Sequence, residues 1–135
     1  MLECLILGDS IAVGVSMQRP ECRSIAKGGI NSETWVNKHI SKDLSAKTVI
    51  ISLGANDHKY VKTKRELETI RANVRAEKVF WIDPGEDRKP VPHEAMLQIA
   101  KQYGDTVLSR PKDQMSSDGV HPTGLGYKTL ADSTK

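Results

Sequence analysis

Four short apolar runs punctuate the chain, each stopped by glycine, proline or a polar turn. Leu5-Ile6-Leu7 has no polar interruption and ends at Gly8. Thr48-Val49-Ile50-Ile51-Ser52-Leu53 is rich in β-branched residues and ends at Gly54. Lys78-Val79-Phe80-Trp81-Ile82-Asp83 ends at Pro84-Gly85, and Thr106-Val107-Leu108 runs into a polar loop from Ser109 to Asp118. Short apolar runs without alternation suit strands buried on both faces, as in a parallel sheet. Arg23-Ser24-Ile25-Ala26 is a weaker run of the same kind, stopped by Gly28-Gly29.

Between these runs the apolar residues recur at helical spacing. Ile11 to Met17 reads as a short helix ended by Pro20. Asn31 or Ser32 can cap a helix through Trp35, Val36 and Ile40. Val61 to Arg75 is a charged helix with a sparse stripe of Leu67, Ile70 and Val74. Glu86 to Pro92 reads as a loop, and Pro92 can open a helix whose face carries Met96, Ile99 and Tyr103, ended by Gly104. A last short helix surrounds Tyr127, Leu130 and Ala131. Strand and helix alternate five times. That order predicts an α/β three-layer sandwich: a flavodoxin-like, five-stranded parallel sheet of order 2-1-3-4-5 with helices on both faces.

Composition narrows the class without changing this picture. The chain has 135 residues, 27% charged and 38% hydrophobic, which suits one globular domain over residues 1–135. The net charge of +3 is mild, and the basic cluster Lys59 to Arg65 has no nucleic-acid motif beside it. It reads as a solvated helix face, and no nucleic-acid partner is expected. No window reaches the apolar length of a membrane span. The start lacks the pattern of a signal peptide, so the expected setting is cytoplasmic, or release by another route, as in a phage or mobile-element protein. Cys4 and Cys22 are too few for a disulfide framework and read as free thiols. His39 and His93 have no partner at ligand spacing, so neither a metal nor an organic cofactor is expected.

The chemistry lies in four turns, each following a predicted strand. They are Gly8-Asp9-Ser10, Gly28-Gly29-Ile30-Asn31, Gly54-Ala55-Asn56-Asp57 and Asp118-Gly119-Val120-His121-Pro122. In a parallel sheet all four fall on the carboxyl edge, where ligands bind. Together they hold the parts for acyl transfer. A serine hydroxyl needs a base to take its proton, and His121 suits because an ordinary imidazole pKa near 6.5 leaves it mostly neutral at pH 7. Asp118 can hold the other ring nitrogen. The N–H groups of Ser10 and Gly29 and the side-chain amide of Asn56 can hold an oxyanion, with Gly28 the alternative to Gly29. The Gly-x-Ser-x-Gly elbow is absent, because Ala12 stands at the second glycine position. No phosphate loop is present either.

In order, these blocks resemble those of the SGNH hydrolases, the GDSL-type esterases and lipases, over residues 5 to 127. Ile11 stands where the GDSL name has leucine. The resemblance implies a five-stranded parallel sheet with Ser10 as nucleophile, His121 as base and Asp118 as its partner. Gly29 and Asn56 would complete the oxyanion hole with the Ser10 N–H. It implies a serine esterase without metal or cofactor, acting on a small ester or on an O-acylated glycan. In a chain this short, small acyl groups such as acetyl fit better than long ones. Two other classes are weighed beside it. One is glycan or peptidoglycan cleavage by Asp9, Asp57 and Asp118. The other is a carbohydrate-binding module without turnover. Asp57 is expected to brace its loop, Trp35 and Trp81 to lie in the core or cleft wall, and His58 to sit exposed. The loop Pro84 to Pro92 is expected to form one rim, where Arg88 and Lys89 would attract an anionic substrate.

Overall fold

A computed structural model describes residues 1–135. The strands are β1 (Leu2–Gly8), β2 (Arg23–Ala26), β3 (Ala46–Ser52), β4 (Lys78–Ile82) and β5 (Thr106–Leu108). The helices are α1 (Ser10–Gln18), α2 (Ser32–His39), α3 (Thr63–Asn73), α4 (Pro90–Tyr103) and α5 (Gly124–Asp132). All strand pairs are parallel, in the order β2-β1-β3-β4-β5 that the alternation predicts.

The uninterrupted apolar runs follow from burial on two faces. Along β1, Leu5 and Leu7 face one core while Cys4 and Ile6 face the other. Along β3, Val49 and Ile51 share the first core and Ile50 the second. Successive strand side chains point to opposite faces, so a strand covered on both sides needs apolar residues at every position. The larger core lies under α2, α3 and α4, with Trp35, Leu67, Ile70, Met96 and Ile99 at its centre. The smaller lies under α1 and α5, built from Ile11, Ala12, Val15, Leu130 and Ala131. Ile50, in the smaller core, is fully buried. Truncating such a residue to Ala costs about 2–5 kcal/mol. No helix is long and apolar enough to cross a membrane.

The structure corrects the reading of the cysteines: Cys4 and Cys22 form a disulfide. The cause is register. Leu5 pairs with Arg23, so the preceding residues of the two strands fall side by side, with Cα atoms 4.8 Å apart. The bond closes a loop around α1 and the turn that carries Ser10.

Three boundaries also move. β1 starts at Leu2 rather than Leu5 because Leu2 pairs with Ala46 of β3. α3 is shorter than its charged pattern suggests, and Val74 ends it in an extended conformation while staying buried. α4 starts at Pro90, two residues before Pro92, because proline lacks the N–H that a first helical turn leaves unpaired anyway. The polar loop after β5 is also more ordered than its composition implies. It holds a short 3-10 turn, Lys112–Gln114, and an isolated bridge between Met115 and Pro122.

Candidate active site

The β1–α1 turn is set by close packing. Gly8 has φ +145°, and a Cβ on it would run into the Ser52 carbonyl of β3. A glycine lets the two backbones touch. The next residue, Asp9, is buried and caps α1: its Oδ1 accepts from the Ile11 N–H and from Ser52 Oγ, each at 3.0 Å. Burial pushes the Asp9 carboxyl up against those hydrogen bonds. Ser10 then opens α1. As the first helical residue it has no intrahelical acceptor for its own N–H.

Two neighbouring turns are stitched to one another. Asp57 is buried, and its carboxylate accepts from the Ser32 N–H (2.8 Å), Ser32 Oγ (2.6 Å) and Thr63 Oγ1 (2.7 Å). One carboxylate therefore ties the turn after β3 to the starts of α2 and α3, as its expected bracing role requires. Asn31 is the cap of α2, accepting from the Thr34 N–H at 2.8 Å. That leaves the Ser32 hydroxyl for Asp57. Beside it, Asn56 Nδ2 donates to the Ile30 carbonyl at 3.1 Å. An amide nitrogen carries two hydrogens, so one remains for a ligand. Neither the Gly28 nor the Gly29 N–H is engaged by the protein. Gly28 runs nearest the nucleophile, since a Cβ on it would stand 3.8 Å from Ser10 Cβ, and Gly29 turns the chain at φ +79°.

The last turn completes the set. Ser10 Oγ lies 2.9 Å from His121 Nε2, and His121 Nδ1 lies 2.8 Å from Asp118 Oδ2. The other oxygen, Asp118 Oδ1, accepts from the N–H groups of Val120 and His121 at 2.8 and 3.0 Å. The imidazole contact and these two N–H groups hold the Asp118 carboxyl well below the usual carboxylate range. It is therefore ionised at neutral pH and can only accept. Nδ1 must carry the proton that it shares with Asp118. In the neutral ring Nε2 is then the acceptor, and the Ser10 hydroxyl donates to it. The site is open: the side chains of His121 and Asp118 are 42% and 50% exposed.

Ser10, Gly28, Gly29, Asn56, Asp118 and His121 all sit on turns at the carboxyl edge of the sheet, as their positions after the strands predict. Asp9 and Asp57 share that edge but are buried and bonded inward, so neither reaches a bound glycan. Trp35 and Trp81 are core residues, each spending its indole N–H inside the protein, on the Ile25 carbonyl and on Asp105. His58 is exposed.

Two contributors escape the motif reading. Arg110, two residues after β5, donates from Nη1 to the Val120 carbonyl at 2.8 Å and so holds the turn before His121. Its only sequence signal is a basic residue at the end of a strand. His93 pairs through Nδ1 with both oxygens of Asp83, at 2.8 and 2.9 Å. An aspartate closing a strand and a histidine in the first turns of the next helix are the signal for that pair. The Asp83 hydrogen bond raises the His93 pKa.

No protein-family model matches the sequence, and no curated protein matches it. Solved structures do match in fold. A GDSL-like lipase from Bacteroides thetaiotaomicron superposes with a TM-score of 0.66 at 18% identity, over 97% of this chain and 84% of that one. A G-D-S-L family protein from Desulfitobacterium hafniense gives 0.66 at 17% identity, over 98% and 97%. The C-terminal catalytic domain of peptidoglycan O-acetyltransferase A from Streptococcus pneumoniae gives 0.66 at 15% identity, over 97% and 89%. Over nearly its whole length, the chain has the fold of the GDSL-type, SGNH hydrolases.

Proposed function

We propose that the chain is a serine esterase that removes small acyl groups, acetyl above all, from a carbohydrate or similar carrier. One observation carries the reading: a serine, a histidine and an ionised aspartate lie in a continuous hydrogen-bonded line at 2.9 and 2.8 Å. Ser10 Oγ attacks the ester carbonyl carbon as His121 Nε2 takes its proton, and Asp118 stabilises the imidazolium that forms. The carbonyl oxygen becomes an oxyanion held by the N–H groups of Ser10 and Gly29 and by the free hydrogen of Asn56 Nδ2. Each such donor contributes about 2.7–4 kcal/mol to the transition state. The intermediate collapses to acyl-Ser10, and the imidazolium returns its proton to the departing alcohol. Water, deprotonated by His121, then releases the carboxylic acid and restores Ser10.

The open site favours a small acyl group on a bulky carrier. The similarity to a peptidoglycan O-acetyltransferase domain supports a glycan ester as the carrier class. The Cys4–Cys22 disulfide supports work in oxidising surroundings, since reducing cytosol does not maintain such bonds. Cleavage of glycosidic bonds by carboxylates has little support, because Asp9 and Asp57 are buried and engaged. A binding module without turnover would have no use for a base aligned on Ser10.

The test is hydrolysis of p-nitrophenyl esters from acetate to octanoate by the native protein and by Ser10→Ala. Highest activity on acetate, absent from the variant, supports the reading. Equal activity in the variant removes it.

A further inference from the structure

The proton cycle tells which way the carrier lies. His121 returns its proton to the leaving alcohol, so the alcohol portion of the ester sits on the His121 side of Ser10. Two residues before His121, Gly119 lines a cleft of about 710 Å³ between the loops that follow β4 and β5. That volume is within the range of roughly 300–1,000 Å³ common for ligand sites. Apart from Pro84 and Met115, its lining residues are charged, serine or glycine. Lys89, expected to act with Arg88, does not line it.

Acids and bases in this lining differ in their engagement. Asp83 has both oxygens on His93, and its Oδ1 also accepts from the Gly85 N–H at 2.8 Å. Asp87 accepts from the Arg88 N–H at 3.0 Å. Glu86 leans toward His93, 3.9 Å from Nε2. The side chains of Arg88 and Lys112 have no such partners. No carboxylate oxygen lies within 4.0 Å of a side-chain nitrogen of Arg88, Arg110 or Lys112. Arg110 spends Nη1 on the Val120 carbonyl, and its buried Nε has no partner. The Arg88 guanidinium lies over Gly119, its Nη2 3.0 Å from where a Cβ on that glycine would stand. Arg88 and Lys112 thus line the cleft outside any ion pair, while the charge of Arg110 is shared with nearby Asp9, Asp83 and Asp87. A guanidinium matches the planar, two-oxygen geometry of a carboxylate.

We propose that Arg88, Arg110 and Lys112 form a subsite for a carboxylate on the carrier, so that the substrate is an O-acylated acidic glycan. This rests on the esterase reading for the direction of the leaving group. The carboxylate can belong to the sugar ring, as in a uronic acid, or to an ether substituent, as in muramic acid. Neutral acylated glycans would place hydroxyls against cations that gain little from them.

The experiment compares kcat/KM on three acetylated oligosaccharides: xylo-oligosaccharide, oligogalacturonate and a muramic-acid disaccharide. The native protein is set against Arg88→Gln/Lys112→Gln and against Arg88→Lys. The native protein should prefer one acidic probe over the neutral one by about tenfold or more, the scale of one charge-assisted hydrogen bond. Which acidic probe wins identifies the source of the carboxylate. The double variant should lose most of that ratio through KM, Arg88→Lys should recover part of it, and added salt should narrow it. A ratio unchanged by the double variant, or a native preference for the neutral probe, overturns the subsite.

Binding is measured separately by titrating Ser10→Ala protein with de-esterified oligogalacturonate, muramic-acid disaccharide and xylo-oligosaccharide. Selective binding of an acidic probe supports the subsite even if the native protein hydrolyses no ester, in which case the esterase reading alone fails. Equal binding of all three overturns the subsite.

Discussion

Ser10 and His121 meet at 2.9 Å but are held in opposite ways. The nucleophile stands on a turn fixed by the core. Gly8 touches β3, buried Asp9 caps α1 and bonds Ser52, and buried Asp57 ties the adjoining turns together. The base stands on an exposed loop that is largely held by its own hydrogen bonds. Asp118 collects two backbone N–H groups and the imidazole, while the Ser116 N–H donates to the His121 carbonyl at 2.8 Å. From outside, Arg110 reaches in from the strand end, and Thr129 of α5 donates to Gln114 Oε1 at 2.6 Å. Damage to the nucleophile half should therefore appear first as lost stability, and damage to the base half as lost activity in a folded protein.

The largest effect expected is on the base itself. His121→Ala should lower kcat by roughly 10⁴–10⁶-fold, as when a member of a catalytic triad is removed. Its melting temperature should stay within about a degree or two of native, since exposed substitutions usually cost less than about 0.5 kcal/mol. A large loss of stability would erase the distinction between the halves. Asp118→Asn should cost roughly 10²–10⁴-fold in kcat, with unfolding again nearly unchanged. Asp118 stays ionised through the imidazole range, so the acid limb of native kcat/KM should report one protonation, that of the base. Two coupled protonations there would contradict this assignment.

On the nucleophile half the readout changes. Asp57→Ala leaves three donors unpaired, two from Ser32 and one from Thr63. At about 1–3 kcal/mol for each unpaired donor, with partial relaxation, denaturant unfolding should show a loss of about 3 kcal/mol. Activity should fall only as far as Asn56 is displaced. Replacing Cys4 and Cys22 by alanine should cost a similar amount, about 3 kcal/mol for a loop of this length. A reducing agent should lower the stability of the native protein and leave the alanine variant unmoved.

The smallest effect lies outside both halves, at the loop that follows β4. His93 has its pKa raised by Asp83, so its pairing contributes stability fully below the unfolded imidazole value. That contribution fades as pH rises through the higher folded value. His93→Gln should therefore destabilise more at pH 5 than at pH 8, measured by unfolding at the two values. A larger loss at pH 8 would reverse the assignment of charge.

Legibility followed distance along the sequence, not that division. The turn after each strand was readable because an apolar run, a glycine and a polar residue are adjacent in sequence. Gly8-Asp9-Ser10 and Gly54-Ala55-Asn56-Asp57 announce both their place and their chemistry. What depends on register was not readable. Nothing near Cys4 or Cys22 says that β1 and β2 align them, and the free-thiol reading failed there. The partners of Asp57 were hidden for the same reason, although its bracing role was expected. The loop after β5 looked featureless because its order comes from backbone bonds, such as the Thr123 N–H to the Gln114 carbonyl, that composition does not encode. Arg110 belongs to that hidden set: its value lies in a carbonyl ten residues away.

The most direct measurement is covalent. A sulfonyl fluoride reacts readily only with a hydroxyl that a neighbouring base has activated. Native protein treated with such a reagent should take up one equivalent, mapped to Ser10 by peptide mass, with ester hydrolysis lost in proportion. His121→Ala protein should remain unlabelled. Hydrolysis that persists after Ser10 is fully modified would show that this serine is not the nucleophile.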